Sequence, residues 1–205
     1  TVLEKQADDM KGFIDLVWLP QSGKCIETTQ VMGYKPYYYF NQNSSFGTEA
    51  ELRSLIAKFK ANGIGAIADV VVNHRHTDGW YTFPAETYKG VTYQMLPTDI
   101  CKNDDGGSTA IQAKKDGVSL SNNYDEGTDF GGCRDIDHKS ENVQKIIKAY
   151  LKFLKEDIGY TGFRYDMVKG FSGTHVADYN DATGVEFSVG EYWDGNQSII
   201  NWINK

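Results

Sequence analysis

Apolar residues along this chain fall into short runs whose spacing predicts alternating helices and strands. Leu3, Ala7 and Met10 sit at helical spacing, and Gly12 stops that first helix. Residues 13–20 (FIDLVWLP) form a continuous apolar run, which predicts a buried strand. Residues 21–47 read as loop. Thr48 with Glu51 three residues on makes a capping box, and Leu52, Leu55, Ile56 and Phe59 line one face of the helix behind it, ended near Gly63. Residues 64–72 (IGAIADVVV) predict a second buried strand. After a long interruption the helical stripe returns at Val143, Ile146, Ile147, Tyr150, Leu151 and Leu154. A short strand at 162–166 (GFRYD), a helix at 172–182 and a strand at 185–191 (VEFSVGE) follow.

Helix and strand in alternation predict a parallel sheet with helical crossovers. No Gly-x-Gly-x-x-Gly and no phosphate loop follows a strand, so a nucleotide-binding fold lacks its marks. A (β/α) barrel is the better reading, with its active site at the C-terminal ends of the strands. Between residues 75 and 134 the texture changes to Gly, Asn, Asp, Ser and Thr without period. About 60 such residues exceed an ordinary connection and predict an inserted, loop-rich subdomain. The division is therefore barrel at 1–74, insert at 75–134 and barrel again at 135–205.

Composition narrows the function. The chain has 205 residues and 21 Lys plus Arg against 28 Asp plus Glu, a net charge of −7. That argues against a nucleic-acid or anionic-membrane partner, and no apolar run approaches the ~20 residues of a membrane span. Aromatic residues at 13% suit stacking on sugar rings as well as a packed core. The three cysteines, Cys25, Cys101 and Cys133, are an odd count with no Cys-x-x-Cys spacing. Free thiols are the simplest reading, with a Cys101–Cys133 pair as the alternative. The chain opens on Thr1 with no charged-then-apolar leader, which a removed signal peptide or an upstream cut would equally produce.

Polar residues interrupt the apolar pattern at the expected strand ends. Asn73 and His74 close the second strand, Arg164 and Asp166 lie in the third, and Glu191 closes the fourth ahead of Tyr192 and Trp193. Period-2 geometry sets Arg164 and Asp166 on one face. A guanidinium beside a carboxylate lowers its pKa, as a nucleophile needs. Neighbouring strands lie ~4.8 Å apart, so Asp166 and Glu191 could stand ~5–5.5 Å apart, the separation of retaining rather than inverting glycoside hydrolysis. Asp166 is then nucleophile and Glu191 general acid, its pKa raised by the nearby negative charge. A barrel-interior ion pair without chemistry is the competing reading.

The stretches DVVVNH at 69–74, GFRYDMVKG at 162–170 and GEYW at 190–193 resemble three ordered motifs of the α-amylase family, glycoside hydrolase family 13. GYKP at 33–36 resembles the segment carrying a substrate-stacking tyrosine. The stretch from Asp125 to DIDH at 135–138 resembles the end of domain B in plant- and archaeal-type members. The resemblance spans essentially the whole chain. It implies a (β/α)8 TIM barrel with an inserted domain B, of which the chain carries about strands two to five.

By the same resemblance Asp166 is the nucleophile, Glu191 the acid/base, and Arg164 the residue that orients the nucleophile. Tyr34 and His74 would line the subsite of the reacting glucose, with Lys169 and Trp193 on the leaving-group side. A Ca²⁺ ion is implied, held by the side chains of Asn73, Asp125 and Asp135 and the carbonyls of Thr128 and Gly170. Hard Ca²⁺ takes six to eight oxygens and accepts backbone carbonyls, so the chemistry fits. Asp129 could belong to a second calcium site. His76 is expected near the cleft rim, His138 at the turn into the long helix, and His175 on a helix surface.

The implied activity is endo-acting hydrolysis of α-1,4-glucans (starch, glycogen or maltooligosaccharides) with retention, by a monomeric parent enzyme that is secreted or periplasmic because its substrate is too large to import. Debranching, maltogenic or transglycosylating members, or a non-catalytic carbohydrate binder, are the alternatives. The family's third catalytic aspartate lies beyond the acid/base strand and falls outside these 205 residues. The chain therefore reads as a fragment, expected to be inactive and poorly soluble by itself.

Overall fold

The computed structural model describes residues 1–26 and 32–205. Part of the loop expected at 21–47 thus lies outside the described residues. Four strands, β1 (Leu16–Leu19), β2 (Gly65–Val70), β7 (Gly162–Tyr165) and β8 (Ser188–Gly190), make one parallel sheet in the order β1-β2-β7-β8. This is the sheet of consecutive barrel strands that the alternation predicts. The strands approach closely where β2, β7 and β8 meet. A Cβ at Gly162 would stand 2.6 Å from the Phe187 carbonyl oxygen and 2.9 Å from Ile67 Cδ1, so only glycine fits.

Helices cover one face of the sheet. α1 (Val2–Met10) and α2 (Glu49–Ala61) pack together, and α2 begins on the expected capping box, Glu51 N–H donating to Thr48 Oγ1 at 3.3 Å. α4 (Glu141–Lys152) opens on Ser140 and buries Val143, Ile146, Ile147, Tyr150 and Leu151, the predicted stripe. It continues through a wide turn over Phe153–Ile158, released at Gly159 with φ +103°. α5 (Gly173–Thr183) and α6 (Asn196–Ile203) complete the set. Ala66, Ala68 and Val70 of β2 and Phe163 and Tyr165 of β7 face this layer and form the core with the helices.

The opposite face differs from the buried strand expected at 13–20. β1 is only four residues long, and Leu16 and Trp18 are 41% and 55% exposed. Val189 of β8, across the sheet, is 48% exposed. Alternation places these residues on the face away from the helices, with Asp69, Arg164 and Asp166. An apolar run cannot by itself distinguish a strand covered on both faces from one covered on one.

The 75–134 segment is more regular than its composition suggests. It holds a hairpin of β4 (Glu86–Tyr88) and β5 (Val91–Tyr93), turned by Lys89 and Gly90 at positive φ, and the helix α3 (Ser108–Asp116). The antiparallel pairing of β3 (His74–Arg75) with β6 (Arg134–Asp135) brings its two ends together. Buried Glu86 anchors the segment to the sheet side. It accepts from Arg75 Nη2 at 2.8 Å and from the N–H groups of Tyr39 and Phe40 at 2.9 and 2.8 Å. Cys101 and Cys133 are buried free thiols, so the alternative of a pair between them is not realised. Among the described residues no helix is long and apolar enough to cross a membrane.

Candidate active site

The C-terminal ends of β2, β7 and β8 converge on one guanidinium. Arg164 Nη1 lies 2.8 Å from both Asp69 Oδ1 and Asp166 Oδ1, and Nη2 lies 2.8 Å from Glu191 Oε1. Strand register makes this possible. Asp69 is the partner of Arg164 across β2–β7, Tyr165 that of Gly190 across β7–β8, and the Glu191 N–H donates to the Tyr165 carbonyl at 2.9 Å. Asp166 and Glu191 thus come side by side at the sheet end, each on one nitrogen of the same guanidinium.

Glu191 is held on both oxygens. Oε1 accepts from the Trp193 indole at 2.8 Å and Oε2 from the Met167 backbone N–H at 3.1 Å. Tyr34 O–H donates to Asp69 Oδ2 at 3.1 Å, and the Arg164 guanidinium lies 4.9 Å from the Trp18 ring centre. Lys169 reaches Asp194 at 2.9 Å, and Trp193 is 80% exposed.

The acidities reverse the expectation. Burial and the neighbouring Glu191 carboxylate push Asp166 up to about 7, outweighing Arg164. Burial also pushes Glu191 up, but donation from Trp193 and Met167, with Asp166 and Arg164, leaves it below the usual carboxylate range. The reason is the fork of Arg164, which grips Glu191 as closely as Asp166 and so cannot favour the second alone. Of the two carboxyls, Asp166 is thus the one that keeps its proton to higher pH. Asp69 is raised by burial against the pull of Arg164 and Tyr34.

His74 also differs from expectation. It is fully buried, stacked on Phe130 at 3.7 Å between ring centres, with Nε2 2.8 Å from the Tyr34 carbonyl oxygen. Burial drives its pKa down to about 4, so the ring is neutral and supports the Tyr34 backbone from behind. His138 is buried against Phe171 and its Nδ1 lies 2.8 Å from the Tyr179 hydroxyl, while Gln144 Nε2 donates to its carbonyl at the start of α4. His175 is no free surface residue, since its Nε2 lies 2.7 Å from Glu126 Oε2.

Beside the cleft, acidic groups gather, and Arg134 Nη1 pairs with one of them, Asp104, at 2.7 Å. Asn73 Nδ2 donates to Asp135 Oδ1 at 3.2 Å, and the Phe130 N–H donates to Asp135 Oδ2 at 2.8 Å. Asp125 Oδ2 is buried with no partner among the described residues. Gly170 lies flat against Asn73, for a Cβ there would fall 1.9 Å from Asn73 Oδ1. The Thr128 N–H donates to the Lys169 carbonyl at 3.1 Å, which draws the 125–128 loop onto the same spot. Burial, with Asp129, Asp125 and Asp104 nearby, pushes Asp135 up to about 10. Ligand atoms of Asp104, Asp129 and Asp135 lie within 4.8 Å of one another. This donor set of hard oxygens fits a divalent cation such as Ca²⁺.

Three residues of the site escape sequence reasoning as individuals. Asp69 is a signal in retrospect, a lone acid inside an apolar strand on the same face as Ile67. Trp18 is hidden within an apolar run. Met167, whose N–H bonds Glu191, has no pattern to betray it.

Comparison with known proteins agrees with this geometry. The family model described as alpha amylase, catalytic domain, matches residues 14–199. The chain is 32% identical over 218 residues to "Alpha-amylase 3, chloroplastic" of Arabidopsis thaliana, covering 98% of this chain and 23% of that protein. It is 30% identical over 216 residues to "Probable alpha-amylase 2" of the same plant, covering 98% and 48%. The chain thus spans less than half the length of these curated relatives. An α-amylase structure from Malbranchea cinnamomea superposes with a TM-score of 0.68 over 98% of this chain and 43% of that one, at 22% identity. With the family model over nearly its whole length and the four consecutive parallel strands of its barrel, the chain belongs to the alpha-amylase family and carries part of its catalytic domain.

Proposed function

We propose that this chain supplies the nucleophile, the acid/base and the calcium clamp of a retaining, endo-acting α-1,4-glucan hydrolase. The observation that carries the reading is the shared guanidinium, which sets Asp166 and Glu191 side by side at the ends of adjacent strands. Two carboxylates held by one guanidinium suit the closer spacing of retention rather than the wider one of inversion. Asp166 attacks the anomeric carbon while Glu191 protonates the leaving oxygen, and Glu191 then removes a proton from the hydrolytic water. Hydrolysis needs the proton on Glu191 instead. Substrate entry supports that transfer, because a sugar lying between the two carboxyls leaves Asp166 with Arg164 as its partner.

Tyr34 offers its ring to the reacting sugar, with His74 fixing its backbone. Lys169 and the exposed Trp193 suit the leaving-group side. We read residues 75–134 as the inserted domain B. Ca²⁺ fits Asn73, Asp125 and Asp135, with the carbonyls of Thr128 and Gly170, because these groups otherwise bury acids without compensation. The ion would pin the insert to the sheet end and neutralise the acids there. It takes no part in proton transfer. Starch or maltooligosaccharide is the substrate class, and a secreted or periplasmic setting would suit its action on a polymer outside the cell.

The test is substitution in the full-length protein. Asp166→Asn and Glu191→Gln are each expected to abolish maltooligosaccharide hydrolysis, with a cooperative melt retained and calcium content unchanged. The first product formed by the unaltered enzyme is expected to have the α configuration. Near-normal rates in either variant, or a β-anomeric first product, contradict the assignment.

A further inference from the structure

Directly after the nucleophile the backbone takes a conformation that side-chain-bearing residues avoid. Met167 has φ +46° and ψ +44°, in the left-handed region, where the Cβ crowds the following carbonyl. Among the described residues only Lys89 and Asp105 share a positive φ without being glycine, and both lie in the insert. Such a conformation persists where the surroundings over-determine it. Three contacts do so. The Met167 N–H points at Glu191 Oε2, 3.1 Å away. Its thioether receives Asn73 Nδ2 at 3.7 Å, and its carbonyl accepts from the Gly170 N–H at 3.0 Å. The next residue extends the link, Val168 N–H donating to the Glu191 carbonyl at 3.2 Å.

We propose that Met167 is a positioning residue for the acid/base carboxylate, its left-handed turn aiming a backbone N–H at Glu191 Oε2 while its thioether ties that turn to Asn73. This rests on the reading of Glu191 as acid/base. The N–H is rigid, unlike the exposed Trp193 indole on the other oxygen, so it sets the rotation of the carboxylate. It also favours the ionised form, because a donor to a carboxylate stabilises its charge.

Substitution separates this role from mere packing. Met167→Val places a β-branched side chain where left-handed backbone is strongly disfavoured, so the turn opens and the N–H loses its aim. In the full-length protein kcat is expected to fall roughly tenfold, part of what one acid/base group contributes, with KM little changed. The alkaline limb of kcat, which reads loss of the acid's proton in the substrate-bound enzyme, is expected to move to higher pH. Met167→Gly accepts the left-handed turn, keeps the N–H, and is expected to leave that limb in place. A limb unmoved in the Val variant, or moved equally in the Gly variant, overturns the proposal. A measurement on the unaltered protein guards against poor folding of the variants. With ¹⁵N-methionine labelling, one methionine amide is expected to titrate in the acid range where the unliganded Glu191 carboxylate takes up its proton, and to stop doing so in Glu191→Gln. If no methionine amide follows that titration, the proposal fails. If Glu191→Gln retains near-normal turnover, it is the acid/base reading that fails.

Discussion

Asp69 and Arg164 are register partners on adjacent parallel strands, and their side chains meet at 2.8 Å in the sheet end. The pair sits on an otherwise apolar face, with Trp18 stacked over the guanidinium. Asp69 therefore sets where Arg164 can point, and Arg164 sets where Asp166 and Glu191 lie.

Breaking this pair should cost more than an exposed ion pair would. Asp69→Ala leaves the guanidinium with two carboxylates in place of three and removes the acceptor of the Tyr34 hydroxyl. A loss of about 3 kcal/mol is expected, at the low end for a buried charge losing one partner. Chemical denaturation of the variant checks it. A change below about 0.5 kcal/mol, the range of ordinary surface substitutions, contradicts the role assigned to the pair.

The raised acidity of Asp166 has a stability signature. Its pKa is about 7 in the fold against an ordinary 3.8. Between those values the folded chain holds a proton that the unfolded chain has lost, so this group's contribution to stability falls as pH rises through that window and is flat above it. Asp166→Asn should remove that part of the slope. Denaturation midpoints for the two proteins should therefore diverge least at low pH and most near neutrality, with the variant the more stable. Parallel curves contradict this.

Calcium should act in the opposite sense on the neighbouring acids. Asp135 and Asp125 are both raised by burial, Asp135 also by the charge of Asp125 and Asp125 by that of Asp129, and a divalent cation removes that penalty. Added Ca²⁺ is expected to raise the melting temperature and to release protons on binding. At a hundred times the dissociation constant the gain is about 2.7 kcal/mol. Asp125→Asn should weaken the effect by removing a formal charge from the cage. Titration calorimetry in two buffers of different ionisation enthalpy reads both the affinity and the protons released. Ca²⁺ binding that releases none contradicts the assignment.

The exposed face of the sheet should show in solution. Leu16, Trp18 and Val189 leave an apolar surface flanked by the open edges of β1 and β8. The 205-residue chain by itself is expected to bind an apolar dye and to self-associate as concentration rises. Trp18→Gln should reduce both. A monomer that binds no dye at high concentration contradicts this.

Local rules carried much of the fold into the sequence. The capping box at Thr48 and Glu51, the stripe from Val143 to Leu151, and the strands around Ala68 and Phe163 depend on neighbours a few residues away, so period alone reveals them. The hairpin at Glu86–Tyr93 and the helix at Ser108–Asp116 do not declare themselves, because their helices and strands bury too few side chains to leave a period. Candidate catalytic residues were legible for a similar reason, as charged residues at the ends of apolar runs stand out against their surroundings.

What only the tertiary structure decided is how those residues act on one another. Arg164 and Asp166 are two residues apart, but Asp69 and Glu191 are brought to the same guanidinium by strand register across β2, β7 and β8. From the sequence alone, Arg164 beside Asp166 implies an acid lowered by its neighbour. In three dimensions the fork is shared, burial dominates, and the proton settles on Asp166. Charge pattern along a chain names the groups that can ionise. Which of them keeps the proton depends on desolvation and on distances between strands far apart in sequence, and no local pattern encodes either.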